Sequence, residues 1–245
     1  MHPPSPLDRV RIVLCATSHP GNIGASARAL KTMGLASLYL VNPKRFPAAD
    51  AEAMASGAGD LLASAVVCNS IDAALEGTVF AIACTARNRD LSHAVLTARE
   101  AGVRLVQEAG HGPVALVFGP EQSGLTAREA SRCAAFAMIP ANPDYSSLNL
   151  AAAVQVFAYE VRQAADAVAS YPQQSFEAAS YEEIERFFGH LERTLYDVEF
   201  LDPKQPKRLM QRLRRLFQRA RLEKEEVNIL RGILTAAQKS GKGNS

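Results

Sequence analysis

Apolar residues in the first two-thirds of the chain come in short, nearly continuous runs: Val10–Ala16, Leu38–Val41, Val66–Cys68, Val79–Cys84, Val114–Phe118 and Phe136–Ile139. Runs of this length, rich in Val, Ile, Leu and Ala and lacking polar alternation, predict strands covered on both faces. Between them the spacing lengthens to a helical period, around Gly24–Met33, Ala51–Ala55, Ile71–Leu75, Ala98–Glu108 and Ala127–Cys133. Gly34 stands where a helix C-terminus favours glycine. Strands alternating with helices predict an α/β fold, a parallel sheet with helices on both faces. An alanine-rich helix over Leu148–Ala169 closes this part.

The pattern then changes. Residues 170–180, with Pro172, Gln173, Gln174 and Ser175, read as a linker. Beyond them the period is helical throughout: Ile184, Phe187, Phe188, Leu191, Leu195 and Val198, then Leu209, Leu213, Leu216, Phe217 and Ala220, then Val227, Leu230, Ile233, Leu234 and Ala237. The expected organisation is an α/β domain over 1–169, the linker, and a small all-helical extension over 181–245 whose tail frays from Lys239.

The chain has 245 residues, enough for one α/β domain with a substantial core and an appendage. Its net charge of +2 excludes little, but basic residues crowd the last third. Cys15, Cys68, Cys84 and Cys133 form no CxxC pair and no His/Cys cluster, so no metal or redox site is expected. The first three stand in or beside apolar runs and read as small buried hydrophobes. The N-terminus lacks the features of a signal peptide, and no apolar stretch is long enough to cross a bilayer. A soluble cytoplasmic protein without membrane contact is expected.

Three strand-end loops carry more polar and glycine residues than a connection needs. In the first, His19-Pro20-Gly21-Asn22-Ile23-Gly24, a helix N-terminus follows a strand, with Arg28 one turn in; free N–H groups and a cation suit a phosphate. Arg28 could equally be a solvated helix arginine, and Asn22 a helix cap. The glycine spacing is not that of a dinucleotide fold, and the second strand ends in Val41-Asn42-Pro43 without the ribose-binding acid, so a nicotinamide or flavin enzyme is disfavoured. In the second loop, Gly119-Pro120-Glu121-Gln122-Ser123-Gly124, Gly119 permits close approach to the backbone. Glu121 either orients a neighbouring polar group or sits in the first turn of a helix. In the third, Pro140 and Pro143 fix the backbone around Asn142, Tyr145, Ser146, Ser147 and Asn149. Ser146 or Ser147 is expected to cap the next helix, which leaves the other polar residues without a structural reason.

Taken in order, Asn22-x-Gly24-x-x-x-Arg28, Gly119-x-Glu121-x-x-Gly124-Leu125 and Ser147-Leu148-Asn149 resemble the three motifs of the SpoU class of RNA ribose methyltransferases, in the SPOUT superfamily. Leu30-Lys31-Thr32-Met33-Gly34-Leu35, Asn142-Pro143-x-Tyr145-Ser146-Ser147-Leu148-Asn149-Leu150 and Asn228-Ile229-Leu230-Arg231-Gly232-Ile233-Leu234 extend the likeness over nearly the whole chain, to bacterial enzymes that modify anticodon-loop nucleotide 32 of tRNA.

The resemblance implies a C-terminal trefoil knot, a homodimer whose active site draws on both subunits, and 2′-O-methylation of tRNA by S-adenosyl-L-methionine without a metal. It implies roles in catalysis for Arg28, Glu121, Ser147 and Asn149. It implies a cofactor pocket lined by Cys84, Thr85, Ala86, Gly119, Ile139, Ser146, Ser147 and Leu148. A guanidinium stays protonated up to pH ~12 and is a poor base. Arg28 is therefore expected to grip an RNA phosphate, with that phosphate or water taking the ribose proton. Arg208, Arg212, Arg215 and Arg219 recur at helical spacing and, beside Lys204, Lys207, Arg214 and Arg221, are read as a phosphate-contacting stripe rather than a merely solvated face. Arg87 and Arg89 could also meet RNA, although loop cations are usually plain surface. Two alternatives stand beside this reading: a catalytically silent RNA-binding module and a nucleotide-dependent α/β enzyme that does not act on RNA.

Overall fold

The apolar runs become strands β1 (Val10–Cys15), β2 (Ser37–Val41), β3 (Val66–Cys68), β4 (Phe80–Cys84), β6 (Val114–Phe118) and β7 (Ala135–Met138), with a three-residue β5 (Val95–Thr97) that the pattern does not announce. The computed structural model describes residues 5–86, 95–168, 177–202 and 208–241. The strands form one parallel sheet in the order β3-β2-β1-β6-β4-β7-β5. Every residue of β4 and β6 is buried, as a sheet covered on both faces requires.

The helices of this unit are α1 (Pro20–Met33), α2 (Ala49–Ala55), α3 (Gly59–Ala63), α4 (Ile71–Leu75), α5 (Ala98–Ala109), α6 (Ala127–Ala130) and α7 (Leu150–Val168). Gly34 ends α1 at φ 75°, the left-handed conformation that glycine adopts freely. Helix α6 starts on a capping box (Thr126 with Glu129) and ends after one turn at Ala130, short of the expected Cys133. Helix α7 packs against α1 and α5 and buries Val154, Phe157, Ala158 and Val161. Because the sheet is parallel, the ends of β1, β4, β6 and β7 all open at its carboxyl edge, where such folds bind ligands.

Contacts divide the chain into two compact units, Met1–Gln174 and Ser175–Ser245. The second contains α8 (Tyr181–Asp197), α9 (Leu209–Ala220) and α10 (Lys224–Gly241), the last continuing beyond the Lys239 at which fraying is expected. Phe187, Phe188 and Leu191 of α8 and Val227 of α10 form its buried centre, with Ala179 from the segment read as linker. Met210, Leu213 and Phe217 of α9 pack on it, and Phe217 meets Phe187 edge-on at 4.9 Å. The inward face of α9 is thus turned from the expected stripe, leaving Leu216 50% exposed. Val198 and Ile233 also face outward, at 39% and 59% exposure. No helix among the described residues is long and apolar enough to cross a membrane.

Candidate active site

The pocket at the carboxyl edge is built from strand ends and the loops that leave them. Cys84, Thr85 and Ala86 come from the end of β4, Phe118 to Gly124 from the end of β6, Ile139 from the end of β7, and Ser146, Ser147 and Leu148 from the loop before α7. Every residue named above as a cofactor neighbour lines it. Its empty space is about 830 Å³, open mouth included. Sequence reasoning missed the wall given by α7: Leu150, Ala153 and Phe157 recur at helical spacing and face the pocket, and Phe157 meets Phe118 edge-on at 5.6 Å.

The turn after β6 requires both its glycines. A Cβ on Gly119 would lie 2.1 Å from the Leu125 nitrogen, because the chain folds straight back through Gly124, whose N–H donates to the Pro120 carbonyl at 2.8 Å. Gly124 itself has φ 65°. At the end of β4, the Thr85 N–H donates to the Ala137 carbonyl at 2.9 Å and ties that wall to β7.

A directional chain of hydrogen bonds joins the three polar loops. Asn149 Oδ1 accepts from the N–H groups of Ala151 (2.9 Å) and Ala152 (3.3 Å), so Asn149 caps α7. The expected caps, Ser146 and Ser147, do not; they line the pocket instead. With its oxygen committed, Asn149 donates through Nδ2 to Asn22 Oδ1 at 3.0 Å, and Asn22 Nδ2 donates to Glu121 Oε1 at 2.8 Å. Glu121 also accepts from the N–H groups of Ser18 (2.9 Å) and His19 (3.3 Å).

Three expectations are corrected here. Helix α1 begins at Pro20, so Arg28 lies two turns along it, not one. Glu121, a carboxylate from a hundred residues away, already occupies the N–H groups before α1, so that helix end is not a free phosphate site. Nor does Asn22 cap α1; it bridges the other two loops. Burial alone would raise the Glu121 carboxyl, but the Ser18 N–H, the Asn22 amide and the N–H groups of Glu121 itself and His19 bring it from 4.5 down to about 2. Glu121 is therefore anionic at neutral pH.

The thiols carry no charge. Burial, reinforced by Cys133, pushes Cys84 well above the ordinary thiol value, and burial with the Glu129 charge pushes Cys15 up to about 12. Cys84 lines the pocket as a neutral apolar group, not a nucleophile. No group of three or more His, Cys, Asp or Glu placed to hold a metal occurs among the described residues.

The cations are distributed differently. Arg28 is exposed, has no ion-pair partner among the described residues, and does not line the pocket of its own chain. Arg208, Arg212 and Arg219 are exposed, whereas Arg215 is half-buried. Arg214, counted with the basic stripe, faces inward: its guanidinium pairs with both Glu185 oxygens and stacks on Phe188 at 4.4 Å. It is part of the helical unit's core, not of an RNA surface. Arg87, Arg89, Lys204 and Lys207 lie outside the described residues.

The ends of β4, β6 and β7 and the loop before α7 line one pocket, and Asn22 ties the first polar loop to its wall, the arrangement of a SpoU methylase. Residues 9–159 match the model of the SpoU rRNA methylase family, and the chain belongs to it. Residues 182–245 match a second model, the C-terminal domain of the tRNA methyltransferase TrmJ. The chain is 51% identical to the tRNA (cytidine/uridine-2′-O-)-methyltransferase TrmJ of Pectobacterium atrosepticum, over 96% of this chain and 98% of that protein. It is 48% identical to the tRNA (cytidine/uridine/adenosine-2′-O-)-methyltransferase TrmJ of Pseudomonas aeruginosa, over 98% and 97% respectively. Among solved structures, TrmJ from Z. mobilis ZM4 superposes with a TM-score of 0.81 at 31% identity, covering 92% of this chain and 97% of that one.

Proposed function

We propose that this chain methylates the 2′-hydroxyl of a tRNA ribose with S-adenosyl-L-methionine, at anticodon-loop nucleotide 32, and accepts cytidine and uridine as the similar enzymes' names describe. The observation that carries the reading is the convergence of the β4, β6 and β7 ends and of Ser146, Ser147 and Leu148 on one pocket. The pocket suits the cofactor. Phe118, Ile139, Leu148, Leu150 and Phe157 offer an apolar slot for a purine, and the anionic Glu121 lies in the same wall as a counter-charge for a cation.

The bound cofactor supplies an electrophilic methyl group on a sulfonium. The protein's task is to place a weak nucleophile, the ribose hydroxyl, against it and to handle one proton. Asn149, Asn22 and Glu121 hold the three loops in register, so Ser147 stands at a fixed place on the pocket wall. Arg28, always protonated, grips the neighbouring phosphate, and that phosphate or water accepts the hydroxyl proton. Because Arg28 does not line the pocket of its own chain, it serves the pocket of a second copy, and the active unit is a homodimer acting in the cytoplasm. The trefoil knot and the division into a methyltransferase domain and a helical tRNA-binding extension belong to the same reading.

Calorimetric titration separates the alternatives. S-adenosyl-L-methionine should bind and a nicotinamide dinucleotide should not; the reverse would return the chain to the dinucleotide enzymes. Cofactor binding without methyl transfer to unmodified tRNA would leave a silent RNA-binding module.

A further inference from the structure

Tyr145 is a large side chain that neither the pocket wall nor the hydrogen-bond chain uses. It is 80% exposed, the most of any large hydrophobic residue described. Its backbone is nonetheless firmly held. Asn142 Oδ1 accepts from the Asp144 N–H at 3.0 Å, and the Asn142 carbonyl accepts from the Tyr145 N–H at 3.0 Å. Pro140 and Pro143 restrict the same loop. The next two residues, Ser146 and Ser147, line the pocket. A rigid turn thus holds an aromatic ring in solvent one residue, about 3.8 Å of chain, from the pocket wall. A base stands from its own ribose on the same scale.

We propose that Tyr145 is the platform on which the base of the target nucleotide stacks while its ribose faces the pocket. The inference rests on the function proposed above. Cytidine and uridine present opposite groups at position 4, a donor amine against an acceptor carbonyl, so a site that takes both cannot depend on that edge. Stacking meets the requirement, because every base has a π-face and single-stranded nucleic acids are commonly held this way without sequence preference.

The chain has no tryptophan, so Tyr145→Trp creates a single fluorescent reporter at the site. Titrating this variant with unmodified tRNA should quench its emission. Tyr145→Ala should raise the KM for tRNA about tenfold or more, the usual cost of losing one stacked base, while S-adenosyl-L-methionine binds as in the wild type. Tyr145→Phe should behave as wild type. Absence of quenching, a Phe variant as impaired as Ala, or an Ala variant that loses the cofactor would each overturn the proposal. The wild-type assay keeps the two readings apart. A wild type that transfers no methyl group to tRNA counts against the function, whereas the quench reads stacking without turnover.

Discussion

Glu121→Gln removes one charge from a site where three donors converge. Ser18 and His19 N–H and the Asn22 amide all point at the carboxylate. A glutamine can place its oxygen on one side only, and its NH₂ then faces a donor on the other. The carboxyl's drop from 4.5 to about 2 is worth at most about 3.5 kcal/mol, at about 1.4 kcal/mol per pH unit. The group is only partly buried, so water screening leaves about 1–2 kcal/mol. The sign follows from the depressed value: this stability is fully present above pH 4.5 and is lost as pH falls from 4.5 towards 2. Urea denaturation followed by far-ultraviolet circular dichroism should show the variant less stable than wild type by about 1–2 kcal/mol at pH 7. The gap should narrow progressively at pH 4 and pH 3, where other carboxylates affect both proteins alike. A gap that stays constant across this range would refute the claim that the charge of Glu121, rather than its shape, holds the loops together.

Other outcomes follow from the same geometry. Gly119→Ala puts a methyl group 2.1 Å from the Leu125 nitrogen and should lower stability by about 1–3 kcal/mol and abolish calorimetric cofactor binding. Arg28→Ala should reduce methyl transfer about a hundredfold or more while leaving cofactor affinity intact; a loss of cofactor binding would place Arg28 at the cofactor rather than the RNA. Charge reversal at the exposed Arg212 and Arg219 should reduce the salt dependence of tRNA binding, lowering the log–log slope by roughly 1–2, whereas an unchanged slope would make α9 ordinary surface. Arg214→Ala, by contrast, should destabilise the helical extension, seen as a lower thermal midpoint, because it breaks the Glu185 pair and the Phe188 stack.

The main strands were legible because a doubly covered strand must be apolar along its length, and β4 and β6 are. β5 was not, since its three residues are all half-exposed and carry no such signature. The start of α1 is hidden for a tertiary reason: the group that satisfies the N–H donors ahead of it is Glu121, a hundred positions away, and no local pattern shows it. Asn149 displaced the serines as the cap of α7 because its amide can cap and reach Asn22 at once. The pocket wall was legible only through the ordered motifs, since Cys84, Gly119 and Ile139 offer little polar chemistry of their own. Arg214 shares the inward face of α9 with Met210, Leu213 and Phe217, its long stem and planar head suiting the aromatic face of Phe188 and a carboxylate together.

The central claim is methyl transfer to a ribose oxygen of tRNA, and nucleoside mass spectrometry addresses it directly. Unmodified tRNA treated with the protein and trideuteromethyl-labelled S-adenosyl-L-methionine should yield a labelled 2′-O-methylcytidine or 2′-O-methyluridine confined to the anticodon-loop fragment. Label on a base, or no label in a preparation that binds the cofactor, would contradict it.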